Sequence, residues 1–181
     1  MILVLLGLRG SGKSAVGSAI ARRSGVPFLD LDMLTAVRLH AVDAAEAIST
    51  RGWEAFRLAE CEAMADAVLA HDRSVLSLGG GTPTAPGASA RLTRWRDDRR
   101  ALLVYLHASP DTLCERLRGT DIKTRPAILG VDAIGEVHEV YQQRDGLYRT
   151  LAHVVVDAEG PVAGVTLVVL EAWEAAEARA T

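Results

Sequence analysis

The residues best suited to chemistry stand near the start of the chain, where positions 7–14 read G-L-R-G-S-G-K-S. This segment fits the pattern G-x-x-x-x-G-K-[ST] at every fixed position. In that pattern, glycines let the backbone wrap around a phosphate with its N–H groups pointing inward, and the helix that follows adds the positive end of its dipole. Lys13 would bridge the β- and γ-phosphates of a nucleotide and Ser14 would ligate Mg²⁺. The alternative is a glycine-rich turn that binds nothing.

Two carboxylates follow at the end of the second predicted strand. Asp30 and Asp32 lie where open α/β sheets place their ligands, and the alternation of side chains along a strand points both the same way. One of them would support the Mg²⁺ shell, and the other would accept a proton from an attacking hydroxyl group. The alternative is a helix N-cap followed by a surface acid.

An arginine and a glutamate are spaced so that they share one helix face. Arg57 and Glu60 are three residues apart, so the glutamate would orient the guanidinium group for a two-pronged grip on a substrate carboxylate. The alternative is an exposed ion pair. Further along, Gly79–Gly81 end an apolar run, and their N–H groups suit a ligand that approaches the backbone closely. There the alternative is a flexible loop.

These groups need a scaffold, and the apolar pattern of the chain predicts one. Apolar runs predict five strands, at Ile2–Leu6, Pro27–Leu29, Ser74–Leu78, Ala101–His107 and Ala152–Val156. Helical spacing predicts helices at Lys13–Arg23, Asp43–Ser49, Trp53–Ala70, from Pro110, at about Val131–Tyr148 and from about Val162. Strands that alternate with helices predict a three-layer α/β/α fold with a mostly parallel five-stranded sheet.

Three further segments are not assigned to any of these elements. A Pro/Gly/Ala loop follows Gly81, and the arginines between residues 91 and 100 are interspersed with acids, which favours a solvated face over a nucleic-acid patch. The segment Arg118–Gly130 is polar and is broken by Gly119 and Pro126. That pattern predicts a mobile loop.

Length and composition limit the kinds of protein that this chain can be. Its 181 residues fit a single domain over 1–181, and 49% of them are hydrophobic, which is enough for a sizeable core. The net charge of −3 gives no general attraction to nucleic acid or to an anionic membrane. No apolar run approaches the ~20 residues of a membrane helix, no signal peptide is visible, and the two cysteines fit a reducing compartment. We therefore expect a cytoplasmic protein that binds neither nucleic acid nor membranes.

Taken in order, these motifs resemble those of the shikimate kinase family, whose members are P-loop kinases that act on a small molecule. The resemblance runs from Gly7 to about Pro161. Beside the phosphate-binding motif it includes D-x-D at residues 30–32, F-R-x-x-E at 56–60, S-L-G-G-G at 77–81, R-P at 125–126 and R-x-x-x-Y at 144–148. It implies a fold like that of nucleoside-monophosphate kinases, an acceptor-binding helical segment at about residues 31–61 and a mobile lid at about 118–130.

The resemblance also implies a reaction and the residues that carry it out. The reaction is transfer of the γ-phosphoryl group of ATP, with Mg²⁺, to the 3-hydroxyl group of shikimate. Catalytic roles fall to Lys13, Asp32 and Arg125, which closes from the lid onto the phosphates, while Ser14 and Asp30 hold Mg²⁺. The other nucleotide contacts are Gly10, Ser11, Gly12, Ala15, Arg118 and Pro161, and the other acceptor contacts are Arg57, Gly79, Gly80, Gly81 and Arg144. Both acceptor-site arginines lie on the carboxylate in this family.

Small departures from the family pattern occur at Ala15, Trp53, Pro83 and the lid residues 127–128. None of them removes a charge that the mechanism needs. Two other functions stay open at this point: a P-loop kinase for another polyol acid such as gluconate, and a nucleotide-binding relative without turnover. The expected partners are ATP and shikimate, and the protein is expected to act as a monomer.

Overall fold

The sheet contains five strands, which are β1 (Ile2–Leu6), β2 (Phe28–Asp30), β3 (Val75–Ser77), β4 (Ala101–His107) and β5 (Val154–Asp157). The computed structural model describes residues 1–119 and 134–180. Within them the strands are ordered β2-β3-β1-β4-β5, and every neighbouring pair is parallel. The predicted α/β fold with a parallel five-stranded sheet is confirmed.

The central strand, β1, is buried on both of its faces. All five of its residues are aliphatic and fully covered. Ile2, Val4 and Leu6 belong to one hydrophobic cluster, whereas Leu3 and Leu5 belong to another. Because successive side chains of a strand point to opposite faces, a continuous aliphatic run requires helices on both sides of the sheet.

In the described part of the chain, seven α-helices flank the sheet. They are α1 (Lys13–Ser24), α2 (Leu31–Arg38), α3 (Ala44–Ala70), α4 (Ala88–Asp97), α5 (Pro110–Arg118), α6 (Val137–Leu151) and α7 (Val162–Ala178). Helices α1 and α7 pack on the face of Leu3 and Leu5. Helices α3, α4, α5 and α6 pack on the opposite face. The three-layer arrangement therefore follows from the two apolar faces of the sheet.

The apolar pattern of the sequence did not predict two of the helices, although the first of them falls within the acceptor-binding helical segment expected at about residues 31–61. Helix α2 begins directly after β2, and its N-cap, Asp30, accepts a hydrogen bond from the Asp32 amide at 3.1 Å. Helix α4 lies in the arginine-rich stretch that was expected to be a solvated face, and it buries only Ala88 and Leu92. Trp95 is partly buried and packs against the same cluster. A helix with so narrow an apolar stripe has no clear period in the sequence.

Glycine 52 accounts for the two helical segments predicted between residues 43 and 70. Helix α3 covers both, and Gly52 interrupts it with φ 80° and ψ 165°. This left-handed conformation favours glycine because a side chain would be strained there. The break redirects the chain just before Trp53. Within 1–119 and 134–180, no helix has the length and apolar character needed to span a bilayer.

Candidate active site

A cavity of about 330 Å³ opens at the edge where the parallel strands end. Open α/β sheets bind their ligands at this edge. The predicted phosphate-binding loop (residues 7–14) contributes much of the wall, together with the start of α1. The predicted acceptor segment contributes Asp32, Ala44, Ile48, Trp53, Phe56 and Arg57, and the rest of the lining includes Asp30, Ser77, Leu78, Gly80, Gly81, Arg116 and Leu117.

The phosphate-binding loop joins β1 to α1, as its motif predicts. Gly10 (φ 85°) and Gly12 (φ 92°) adopt the left-handed conformation that the wrapped backbone needs. Lys13 is the first residue of α1 and is only 8% exposed. Its Nζ donates hydrogen bonds to the carbonyl oxygens of Gly7 (2.9 Å) and Leu8 (3.0 Å). The ammonium group thus lies against the loop backbone and lines the cavity.

Three side chains near the loop form an oxygen-rich group. Ser14 donates its hydroxyl hydrogen to Asp30 Oδ2 at 3.0 Å. The other oxygen of Asp30 accepts the amide of Asp32, so Asp30 caps α2 and contacts Ser14 at once. All three residues line the cavity. Hydroxyl and carboxylate oxygens are the ligands that Mg²⁺ prefers, so the donor set of Ser14 and Asp30 fits this ion.

Arg57 and Glu60 form a contact that is buried. Arg57 Nη1 donates to Glu60 Oε2 at 2.5 Å, and Glu60 is fully covered. The second carboxylate oxygen accepts the hydroxyl hydrogen of Thr82 at 2.6 Å. Burial raises the pKa of the Glu60 carboxyl, while the Arg57 charge and the Thr82 hydrogen bond oppose that rise. The alternative of an exposed ion pair is therefore wrong, since Glu60 is a buried support for the guanidinium group.

Two aromatic rings complete the surroundings of Arg57. The guanidinium carbon lies 5.0 Å from the centre of the Trp53 ring and 5.8 Å from that of Phe56. Both rings line the cavity. A cation over an aromatic face is attracted by the π-electrons, so these contacts limit the rotamers of Arg57.

The three glycines approach the acidic and basic side chains closely. A Cβ atom at Gly79 would lie 2.5 Å from Asp32 Oδ1 and 2.6 Å from Glu60 Oε1. A Cβ atom at Gly81 would collide with Arg57 Nη2. The strand end therefore needs glycine because charged groups from α2 and α3 occupy the space of a side chain.

Gly80 connects the glycine strand end to α6. Its carbonyl oxygen accepts hydrogen bonds from Arg144 Nη1 (2.9 Å) and from the Tyr148 hydroxyl (2.7 Å). A Cβ atom at Gly81 would lie 3.2 Å from Arg144 Nη1. Burial raises the pKa of Tyr148 to about 12, so its hydroxyl remains a donor at neutral pH. Arg57 and Arg144 thus reach the same glycine segment from two different helices.

Four of the expected nucleotide contacts, Ser11, Arg118, Arg125 and Pro161, are outside the cavity lining or outside the described residues. Arg118 is exposed at the end of α5, and Pro161 is the exposed N-cap of α7. Neither lines the cavity. Arg125 and most of the expected lid, like Lys123, fall within 120–133 and so lie outside the described residues. Ser11 is buried within the phosphate-binding loop.

Several residues near the cavity were not assigned a site role from the sequence. Phe56 belongs to a recognised motif and Trp53 precedes it, but a motif does not show what a side chain contacts. Thr82 has no sequence signal, because its role depends on a buried partner 22 residues away. Arg116 lines the cavity where Arg118 does not. Helical phase could have separated the two, since residues two apart on a helix face different directions.

Comparison with known proteins identifies the family. The family model described as shikimate kinase matches residues 9–174. The chain belongs to the shikimate kinase family. It is therefore a kinase, and the phosphate-binding loop, the cavity and the parallel sheet are those of a P-loop phosphotransferase.

Named relatives agree with this membership of the shikimate kinase family. A shikimate kinase of Symbiobacterium thermophilum is 37% identical over 85% of this chain and 84% of its own length. Shikimate kinase 2 of Sodalis glossinidius is 35% identical over 93% of each chain. The crystal structure of a shikimate kinase from Bacteroides thetaiotaomicron superposes with a TM-score of 0.81 at 26% identity, covering 96% of this chain and 98% of that one.

Proposed function

We propose that the protein transfers the γ-phosphoryl group of ATP to the 3-hydroxyl group of shikimate, giving 3-phosphoshikimate and ADP. One observation carries the proposal. The cavity that holds the phosphate-binding loop also holds Asp32 and Arg57, while Arg144 contacts the glycine segment in its wall. A small acid with several hydroxyl groups needs cations for its carboxylate and an acceptor for the proton of its reacting hydroxyl.

Each side chain has a distinct task in this reaction. Lys13 stabilises negative charge on the transferring phosphoryl group, and Arg125 adds a second cation from the lid. Asp32 orients the acceptor hydroxyl and receives its proton. Arg57 and Arg144 hold the carboxylate, which fixes the ring and places the hydroxyl in line for attack.

Ser14 and Asp30 would hold Mg²⁺ in the same proposal. When bound, the ion neutralises charge on the β- and γ-phosphate oxygens. The hydrogen bond between Ser14 and Asp30 keeps both oxygen groups at the N-terminal turn of α1, beside the loop that takes the phosphates. The family membership supports ATP as the phosphoryl donor.

ADP release measured with shikimate, gluconate, quinate and no acceptor tests the proposed function. We expect rapid ADP formation with shikimate alone in the presence of ATP and Mg²⁺. Turnover with gluconate instead would favour the polyol-acid alternative. Nucleotide binding without turnover on any acceptor would favour the alternative of a nucleotide-binding relative that has no catalytic activity. Cytoplasmic location and a monomeric state stay predictions, and sedimentation velocity tests the second.

Changing Gly79 to alanine should lower kcat/KM for shikimate by about a hundredfold, because the new methyl group displaces Asp32 and a displacement of about 1 Å costs that much. The new Cβ atom would otherwise lie 2.5 Å from Asp32 Oδ1. Gly146→Ala is the matched control, since a Cβ atom there meets nothing within 4 Å. Steady-state kinetics check both variants. Equal kcat/KM values for the two would contradict the close approach.

Changing Tyr148 to phenylalanine should raise KM for shikimate several-fold and lower the free energy of unfolding by about 1 kcal/mol. The variant removes one of two donors to the Gly80 carbonyl, leaving Arg144 to hold it alone. Tyr141→Phe, which removes a hydroxyl bonded to His107, serves as the control and should change stability alone. Urea unfolding and steady-state kinetics separate the two effects. An unchanged KM in Tyr148→Phe would show that Arg144 suffices.

Changing Asp30 to asparagine should raise the Mg²⁺ concentration needed for half-maximal rate by about tenfold, which is the usual cost of weakening a metal's oxygen ligands or their supports. An Mg²⁺ titration at saturating ATP measures it. Asp66→Asn is the control, since Asp66 of α3 forms an exposed ion pair with Arg38 of α2 and lies outside the cavity lining. The same Mg²⁺ dependence in both variants would remove Asp30 from the proposed metal site.

A further inference from the structure

The part of the cavity proposed for the acceptor combines charged side chains with an apolar surface. The charges belong to Asp32 and Arg57. Helix α3 adds four apolar side chains to the same lining, which together are called the apolar wall: Ala44, Ile48, Trp53 and Phe56. The indole N–H of Trp53 is the one polar side-chain group in this wall. A ligand hydroxyl group that lies against the wall therefore finds few hydrogen-bond partners, and leaving a buried polar group unpaired is unfavourable.

Trp53 provides the aromatic ring of the apolar wall that lies closer to Arg57. The guanidinium carbon is 5.0 Å from the centre of the Trp53 ring, compared with 5.8 Å for Phe56. The two rings meet edge to face with their centres 6.2 Å apart, and Trp53 is only half-buried. Because Trp53 also lines the cavity, a ligand group held by Arg57 comes close to the indole ring.

Gly52 determines where the second part of α3 begins. It comes directly before Trp53, and its φ of 80° interrupts the helix. A Cβ atom at Gly52 would meet nothing within 4 Å, so glycine is needed there for the backbone conformation and not for space. From this break onwards, Trp53, Phe56, Arg57 and Glu60 follow the spacing i, i+3, i+4 and i+7. Residues with this spacing share one face of a helix, so the break places the indole ring on the face that carries Arg57.

The candidate acceptor acids differ at the carbon that bears the carboxylate. In shikimate that carbon belongs to a C=C double bond, so it is planar and carries no hydroxyl group. In quinate and gluconate it is tetrahedral and carries a hydroxyl group, so both are α-hydroxy acids. A carboxylate held by both prongs of Arg57 lies in the guanidinium plane. A tetrahedral carbon next to that carboxylate projects substituents out of the plane, where the Trp53 ring covers one side.

We propose that Trp53 is a specificity-determining residue that selects an acceptor with a planar, unsaturated carbon beside its carboxylate and rejects α-hydroxy acids. This inference rests on the proposed function. The extra hydroxyl group of an α-hydroxy acid exchanges water for the indole surface, where it loses hydrogen bonds. An apolar surface rejects an added hydroxyl group by about a hundredfold. The same side chain then acts against quinate and against gluconate.

The variants Trp53→Gln and Trp53→Phe test the inference, with Leu58→Gln as the matched control. Leu58 lies on the same helix, is 63% exposed and is outside the cavity lining. ADP release measures kcat/KM with shikimate and with quinate for each protein. We expect the unaltered protein to favour shikimate about a hundredfold. This ratio should fall about tenfold in Trp53→Gln, whose amide offers a partner to the extra hydroxyl group. It should change by less than about threefold in Trp53→Phe and Leu58→Gln, which keep an aromatic ring at position 53.

The ratio separates selectivity from the support that Trp53 gives to Arg57. Loss of the cation–π contact weakens the hold on any carboxylate, so that effect lowers kcat/KM for both acids alike. Trp53→Ala opens the apolar wall to water and should lower the ratio as well, so the test does not depend on one substitution. Thermal unfolding of each variant reports on the fold.

Three outcomes would overturn the inference. The first is equal kcat/KM for the two acids in the unaltered protein. The second is an unchanged ratio in Trp53→Gln and Trp53→Ala with normal melting temperatures, which would remove Trp53 from the selection. The third is a fall of the ratio in Trp53→Phe as large as that in Trp53→Gln, which would assign the selection to the indole N–H and not to the apolar ring.

Failure of this inference is distinguishable from failure of the proposed function. Absence of turnover with shikimate in the unaltered protein, or turnover with gluconate instead, would overturn the function and the inference together. Turnover with shikimate and a ratio that does not respond to Trp53 would overturn the inference alone.

Discussion

Replacing Lys13 by alanine is expected to reduce kcat by about a thousandfold, the scale of removing one charged donor to a transition state. Lys13 is the first residue of α1 and lines the cavity with its ammonium group against the loop backbone. The transferring phosphoryl group carries negative charge on its oxygens throughout the reaction, and an ammonium group in the phosphate-binding loop stabilises that charge. Coupled-enzyme measurement of ADP formation at saturating substrates checks the result.

The control for Lys13→Ala must separate chemistry from folding. Lys13 also donates two hydrogen bonds to the loop, so its loss could loosen the backbone. Lys13→Arg keeps a cation while changing its shape, and thermal unfolding of both variants reports on the fold. Arg94→Ala removes a distant surface charge and should keep full activity. A kcat within tenfold of the unaltered protein for Lys13→Ala, with normal folding, would contradict its role.

Replacing Arg57 by alanine is expected to raise KM for shikimate by about ten- to a hundredfold, since a hydrogen bond to a charged group contributes about 1.5–3 kcal/mol. KM for ATP should change less than threefold. The physical reason is the position of Arg57, which is held by Glu60, Trp53 and Phe56 in the acceptor part of the cavity. Initial rates over a grid of both substrate concentrations measure the two constants.

Arg57→Ala also leaves Glu60 buried without its cation. The free energy of unfolding should fall by about 3–5 kcal/mol, which is typical when one partner of a buried pair is removed. The double variant Arg57→Ala with Glu60→Gln removes that charge and should recover stability without recovering KM. An equal rise of KM for both substrates in Arg57→Ala would exclude Arg57 from the acceptor site.

Local sequence was enough for the scaffold and for the phosphate-binding loop. Five consecutive aliphatic residues in β1, ended by Gly7, predict a short strand covered on both faces. Gly10 and Gly12 stand where the backbone needs positive φ, and Lys13 begins the helix beside them. The strand and the loop depend on residues that are neighbours in the chain, so both can be predicted without knowledge of the tertiary structure.

Short and polar helices were harder to predict. Helix α2 has eight residues and follows β2 without a loop, and α4 buries only two side chains. Their stability comes mostly from caps and from packing against other elements, which local propensity does not report. The break at Gly52 was readable, since glycine separates the two apolar patterns of α3.

The acceptor site depends on contacts between residues far apart in the chain. The spacing of Arg57 and Glu60 is compatible with an exposed pair as well as with a buried one, and only the covering by Thr82 and the glycine segment decides between them. Arg144 reaches Gly80 across 64 residues. Strand order and packing set these distances, because α3 and α6 pack on the same face of the sheet and both reach the end of β3. The chemistry of each residue type is therefore local, whereas the juxtaposition that makes a site belongs to the tertiary structure.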